Sequence, residues 1–172
     1  MQEPVCKENY PAIFVIASNL VPLAIYLIGI YLLMRFGIVW VAAYLLFVLI
    51  LEYRLVSRHC TDCYYYGKTC AFGKGRLCAF LFRKGDPERF RTMTITWTDI
   101  VPDFLVFLIP MLAGTILLIQ EFSVPVLILV IALLLLGFLG NAVVRGQLAC
   151  KYCKQREIGC PAERLFDKTR KS

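Results

Sequence analysis

Ionisable residues are scarce in this chain. Asp, Glu, Lys and Arg make up 18% of its 172 residues, and His59 is its single histidine. Soluble domains carry about 25% charged residues and are roughly 45–50% apolar. The 59% hydrophobic content here excludes a disordered chain and argues against a soluble enzyme of ordinary composition. One histidine and no paired catalytic carboxylates leave little equipment for general acid–base chemistry. There is no Walker loop, G-x-S-x-G, H-E-x-x-H or dinucleotide fingerprint, and Gly73-Lys74-Gly75 is too short to cradle a phosphate. No nucleic-acid module accompanies the net charge of +7, so no nucleic acid is expected as a partner.

What the chain has instead is long apolar runs. A bilayer-crossing helix needs about 20 mostly apolar residues. Four runs qualify or nearly so: Pro11–Leu33 without a charge; Ile38 to about Leu51, extending to Val56 with Glu52 and Arg54 at its end; Val101–Ile119 with Asp103 near its start; and Val124–Val144 with Asn141 as its strongly polar member. Backbone groups in lipid must be satisfied internally, so each run is expected to be helical. The first is longer than the apolar part of a secretory leader and lacks a basic start and a clear small-x-small cleavage site, so it is read as a span.

Short turns, Met34–Gly37 and Gln120–Ser123, join the runs in pairs. The expected fold is an all-α integral membrane protein of two helical hairpins. Residues 1–56 hold the N-terminal tail and first hairpin, 57–100 a Cys-rich loop, 101–144 the second hairpin and 145–172 a Cys-rich tail. Lys and Arg counting orients it. The N-terminus, central segment and tail share one side and hold eighteen of the nineteen basic residues; Arg35 is the exception. That side is expected to be cytoplasmic, with both termini there and the protein multi-pass in the cell membrane. Its basic face suits anionic headgroups.

None of the eight cysteines falls inside a span, although cysteine packs well as a small hydrophobe. All lie on the expected cytoplasmic side, where a reducing compartment opposes a disulfide framework. Cys60-Thr61-Asp62-Cys63 with Cys70, and Cys150-Lys151-Tyr152-Cys153 with Cys160, share the spacing C-x2-C-x6-C, displaced by 90 residues. Each motif follows a hairpin. The order reads as a parallel internal repeat about an axis along the membrane normal, which brings the two modules together under the helices.

The spacing points to metal. A C-x2-C turn aims two sulfurs at one ion, and a third thiol after a glycine-bearing excursion (Gly67 or Gly159) closes most of a tetrahedron. Structural zinc takes four N or S ligands. The candidate ligands are Cys60, Cys63, Cys70, Cys150, Cys153 and Cys160, with Cys78 and His59 as further candidates. Those eight suffice for two sites if one ligand crosses between modules. Against this, His59 also reads as an interfacial histidine, Cys78 in the apolar run 77–82 as a packing residue, and Cys6 as isolated. Zinc ranks first. An iron–sulfur cluster ranks second, since Cys160-Pro161 resembles the ending of some cluster motifs while the preceding spacing differs. Dithiol chemistry ranks third, and plain reduced cysteines last.

Other polar groups collect near the cysteine side. Thr98 or Asp99 is expected to cap the third span, with Pro102 in its first turn. Glu52, Asp99, Asp103, Asn141 and Arg145 form an expected polar layer that suits an ion, a proton or a headgroup, or a solvated rim. Ser18, Asn19 and Pro22 interrupt the first span, as Pro110 does the third. Asp86-Pro87-Glu88 opens a short helix toward Met93. The functional expectation is a metal-binding, membrane-attached platform, with a cytoplasmic protein as its candidate partner. The alternative is an iron–sulfur or dithiol redox protein exchanging electrons with a soluble donor and a quinone.

Overall fold

The structure is a computed structural model that describes residues 6–161. Arg164, Lys168, Arg170 and Lys171, which entered the charge count, lie outside them. Among the described residues, seven α-helices follow one another: α1 Ala12–Met34, α2 Ile38–Leu55, α3 Lys74–Leu81, α4 Pro87–Thr92, α5 Trp97–Gln120, α6 Val124–Leu135 and α7 Lys154–Ile158. Among the described residues there is no strand, although an isolated backbone bridge pairs Lys7 with Cys153.

Among the described residues, four helices are long and apolar enough to cross a membrane, as in a multi-pass membrane protein. Two run further than their α-helical parts. A π-helical turn, Val56–Cys60, extends α2. Two more, Leu136–Gly140 and Val143–Ala149, extend α6, and the tighter turn Cys150–Tyr152 follows them. The fourth span then covers 29 residues, about 43 Å of helix at 1.5 Å per residue. A hydrocarbon core is only about 30 Å thick, so this helix is longer than an untilted crossing requires, and Cys150 lies in its last turn.

The helix ends agree with local sequence. Pro11 stands at the N-cap of α1. Gly37, at φ 113°, lets the Arg35–Gly37 turn close. The start of α5 corrects an expectation: its N-cap is Thr96 rather than Thr98 or Asp99. Asp99 completes a capping box, its Oδ2 accepting from the Thr96 N–H at 3.1 Å and the Thr96 hydroxyl at 2.7 Å. Asp86 caps α4, with Oδ1 accepting from the Glu88 N–H at 2.9 Å.

The helices bury narrow inner stripes. Ile25, Leu32, Phe107, Val126, Val130 and Leu133 fasten α1, α5 and α6 together. Leu33, Val41, Tyr44, Val48 and Ala113 attach α2. The Tyr44 hydroxyl donates to the Val106 carbonyl at 2.8 Å, and its ring lies flat over Gly29, where a Cβ would come within 2.9 Å of the hydroxyl. The outward residues of every span, such as Leu27, Leu49, Leu112 and Leu139, are exposed and apolar, the composition of a lipid-facing wall.

Candidate functional site

The cysteine ends of the spans meet in one junction built from three separated stretches. The N-terminal segment threads between the two cysteine modules. Its Lys7 N–H donates to the Tyr152 carbonyl at 2.9 Å and its Tyr10 N–H to the Thr69 carbonyl at 2.9 Å. The Tyr10 hydroxyl donates to the Ala149 carbonyl at 2.6 Å, and Asn9 Oδ1 accepts from the Thr69 N–H at 3.0 Å. Tyr65 ties all three stretches at one atom: its hydroxyl donates to the Lys7 carbonyl at 2.5 Å and accepts from the Lys154 N–H at 2.9 Å. Gln155 Oε1 accepts from the Tyr64 N–H at 2.8 Å. Around these bonds Tyr10, Tyr65, Ala71 and Ala149 form a buried cluster, with Cys63, Cys70 and Cys153 packed against it.

Gly67 at φ 75° and Gly159 at φ 123° occupy the left-handed region that favours glycine and turn the chain back toward each module's third cysteine. A second anchor sits inside the first C-x2-C. Asp62 is buried, and its Oδ2 accepts from both Nε and Nη2 of Arg89, each at 2.7 Å. Its Oδ1 accepts from the Asp86 N–H at 3.1 Å. The loop between Cys60 and Cys63 is thereby clamped to the start of α4. The sequence alone assigned no role to Asp62 or Gln155; nothing in their local sequence marks the partners, which lie 27 and 91 residues away.

No disulfide joins any of the eight cysteines. Burial pushes the Cys63 thiol up to about 11, and charge on Cys70, Cys160 or Cys78 would oppose its ionisation further. Burial likewise pushes Cys153 up to about 12, with Cys63 and Cys150 among the neighbours that oppose a thiolate there. Cys60 lies within electrostatic reach of Cys70, Cys63 and Cys78. Cys78 is fully buried in α3, its Sγ donating to the Val56 carbonyl at 3.5 Å. Cys6, isolated in sequence, sits at Cys153, its Sγ donating to the Cys153 carbonyl at 3.5 Å. His59 stands apart from the thiols, in a recess it shares with Arg54, Arg58, Thr94 and Asp99. Among the described residues no three His, Cys, Asp or Glu side chains converge closely enough to form a finished metal cage.

Above the junction, within the helices, lies a cavity of about 330 Å³. Four members of the expected polar layer line it: Glu52, Asp103, Asn141 and Arg145, joined by Lys74. Asp99 lies outside, paired with Arg54 at 3.3 Å. No family model, curated protein or solved structure matches the chain.

Proposed function

We propose that this protein is a membrane-attached platform whose two C-x2-C-x6-C modules bind structural zinc at the cytoplasmic face. The observation that carries the reading is the meeting of the modules: Cys63 and Cys70 of the first and Cys153 of the second pack against one buried cluster. Burial makes Cys63 and Cys153 resist ionisation, the opposite of what a reactive low-pKa dithiol needs. A bound cation reverses that balance, since a metal displaces the proton from each sulfur it takes and couples binding to folding. A metal taken by Cys6 and Cys78 would displace the S–H···O bonds those thiols make to the Cys153 and Val56 carbonyls.

The cysteines divide into two sets of four. Cys60, Cys63, Cys70 and Cys78 form one. Cys150, Cys153 and Cys160 form the other, with Cys6, which the N-terminal segment delivers to Cys153, supplying the fourth sulfur that the second module lacks in sequence. His59 is not required. Each C-x2-C is entered from a π-helical turn that ends a long span, which supports the reading of two hairpins and two modules as a duplicated unit. Unusual turns of this kind gather at functional sites. The rigid, basic, cysteine-held face is suited to docking a cytoplasmic protein.

Metal analysis with a visible spectrum, on protein purified in detergent without oxygen, tests the reading. The expected result is zinc near two equivalents and no colour, with Cys78→Ser and Cys6→Ser each losing one equivalent. Iron with sulfide and a brown spectrum replaces the platform by an electron carrier. Absence of metal together with alkylation of seven or eight thiols overturns metal binding.

A further inference from the structure

The cavity above the cysteine junction has a charge pattern that the metal reading does not use. Two carboxylates and two cations line it, so its formal charge is zero. One pair is matched internally: Glu52 takes Lys74 Nζ on Oε2 and the Tyr26 hydroxyl on Oε1 at 3.3 Å. The other pair is not. Asp103 and Arg145 border the cavity as exposed residues at its rim, and neither makes an ion pair or side-chain hydrogen bond with a described residue. Ionisable groups at a membrane helix end that face a cavity and lack partners mark a ligand path.

Neutral polar groups point the same way. Ser18 borders the cavity and is fully buried, and its hydroxyl has no partner, although a serine in a helix ordinarily back-bonds to a carbonyl one turn earlier. Asn19 and Asn141 use their amide N–H groups on backbone carbonyls, Asn19 on Val15 at 2.7 Å and Asn141 on Gly137 at 3.0 Å. Their amide oxygens remain as acceptors. The rest of the lining is apolar. Leu23 and Leu55 line the cavity and are also exposed on the outer wall of the spans, so its mouth opens on the flank that lipid covers. The volume of about 330 Å³ falls within the roughly 300–1,000 Å³ of small-molecule pockets.

We propose that this cavity binds an aminophosphate group, the zwitterionic headgroup of a membrane lipid, with the phosphate held by Arg145 and the ammonium by Asp103. A zwitterion fits because a ligand of one sign would satisfy one unmatched residue and repel the other. A lipid is the source that fits the lateral mouth, since its chains stay among the outer apolar residues while the head enters between the spans.

The test is thermal unfolding of the detergent-solubilised full chain with added phosphatidylethanolamine, phosphatidylglycerol or soluble phosphoethanolamine. A ligand that binds the folded state raises the midpoint in a saturable way. Phosphatidylethanolamine is expected to bind most tightly. Asp103→Asn is expected to weaken it tenfold or more while leaving phosphatidylglycerol unchanged, a split that a folding defect would not produce. Arg145→Gln is expected to weaken both lipids. Equal binding of the two lipids, or no effect of either variant on phosphatidylethanolamine, overturns the proposal. Soluble phosphoethanolamine binding as tightly as the lipid overturns the membrane as the source.

Discussion

Tyr65→Phe removes one oxygen atom from the point where three stretches of chain meet. The phenol donates to the Lys7 carbonyl and accepts from the Lys154 N–H. The ring contacts with Tyr10 and Tyr64, at centroid distances of 5.8 and 5.2 Å, survive the substitution, so the variant isolates the polar term. A typical net hydrogen bond contributes about 1 kcal/mol, and a buried group left unsatisfied costs about 1–3 kcal/mol. Lys7 and Lys154 are themselves half-buried, so water recovers part of the loss, and the expected destabilisation is about 2 kcal/mol. That corresponds to about a 30-fold rise in opening of the junction. Denaturant unfolding in detergent reads the stability, and alkylation of metal-stripped protein reads the opening at Cys63 and Cys153, both beside Tyr65. Tyr66→Phe is the control: its hydroxyl meets a single carbonyl, Phe82, at 2.9 Å, and its loss is expected near 1 kcal/mol or below. Equal stability of Tyr65→Phe and the parent chain, with unchanged alkylation rates, would refute the view that this hydroxyl locks the modules together.

Asp62→Ala strips the clamp from the first C-x2-C loop. Charge-assisted hydrogen bonds contribute about 1.5–3 kcal/mol; because Arg89 is exposed and regains water, a loss of about 2 kcal/mol is expected by denaturant unfolding. Gly75→Ala places a Cβ against the Tyr65 and Lys68 carbonyl oxygens, backbone atoms that cannot rotate away, so a loss of about 2 kcal/mol or more is expected, with Leu77→Ala in the same helix, exposed, near neutral. In metal-free protein, Cys63 and Cys153 keep their protons in the folded state up to about 11 and 12, against 9.0 ordinarily. The unfolded chain therefore releases protons first, and stability is expected to be full below about pH 9 and to fall as pH rises toward 12; a midpoint that is flat or rising over that window contradicts the buried-thiol geometry.

Much of the architecture was legible because the bilayer imposes a simple rule on sequence. Apolar runs of sufficient length must be helices, and the four runs appear as helices within a few residues of their expected ends. The departures occur where the rule weakens. The span after Ser123 runs on to Tyr152 instead of ending near Val144, because π-helical turns continue hydrogen bonding through a polar stretch that hydropathy reads as tail. The third span starts at Trp97 rather than Val101, since the Thr96–Asp99 capping box closes a turn that apolar content does not register. Asp86-Pro87-Glu88 carried its own cap and produced the helix expected of it.

The cysteine spacing was equally plain in sequence, because a C-x2-C turn is a local device. The company each cysteine keeps was not. Cys6 had no sequence neighbour to suggest a role, and only backbone pairing of Lys7 with Tyr152 and Cys153 brings it to the second module. His59 was the reverse case: adjacent to Cys60 in sequence, it points with Asp99 into a different recess, since neighbouring positions on a helix face different ways. The sequence by itself determined the four apolar spans and the C-x2-C-x6-C spacing of the cysteines at and beyond their ends, consequences of composition and length; the helices run far enough to take in Cys60 and Cys150, which the apolar runs left outside. The tertiary structure alone decided that the N-terminal segment, the central loop and the tail close into one junction around Tyr65, and that Glu52, Lys74, Asp103 and Arg145 border one cavity, because contacts between segments 50–150 residues apart depend on how the helices dock and leave no periodic trace along the chain.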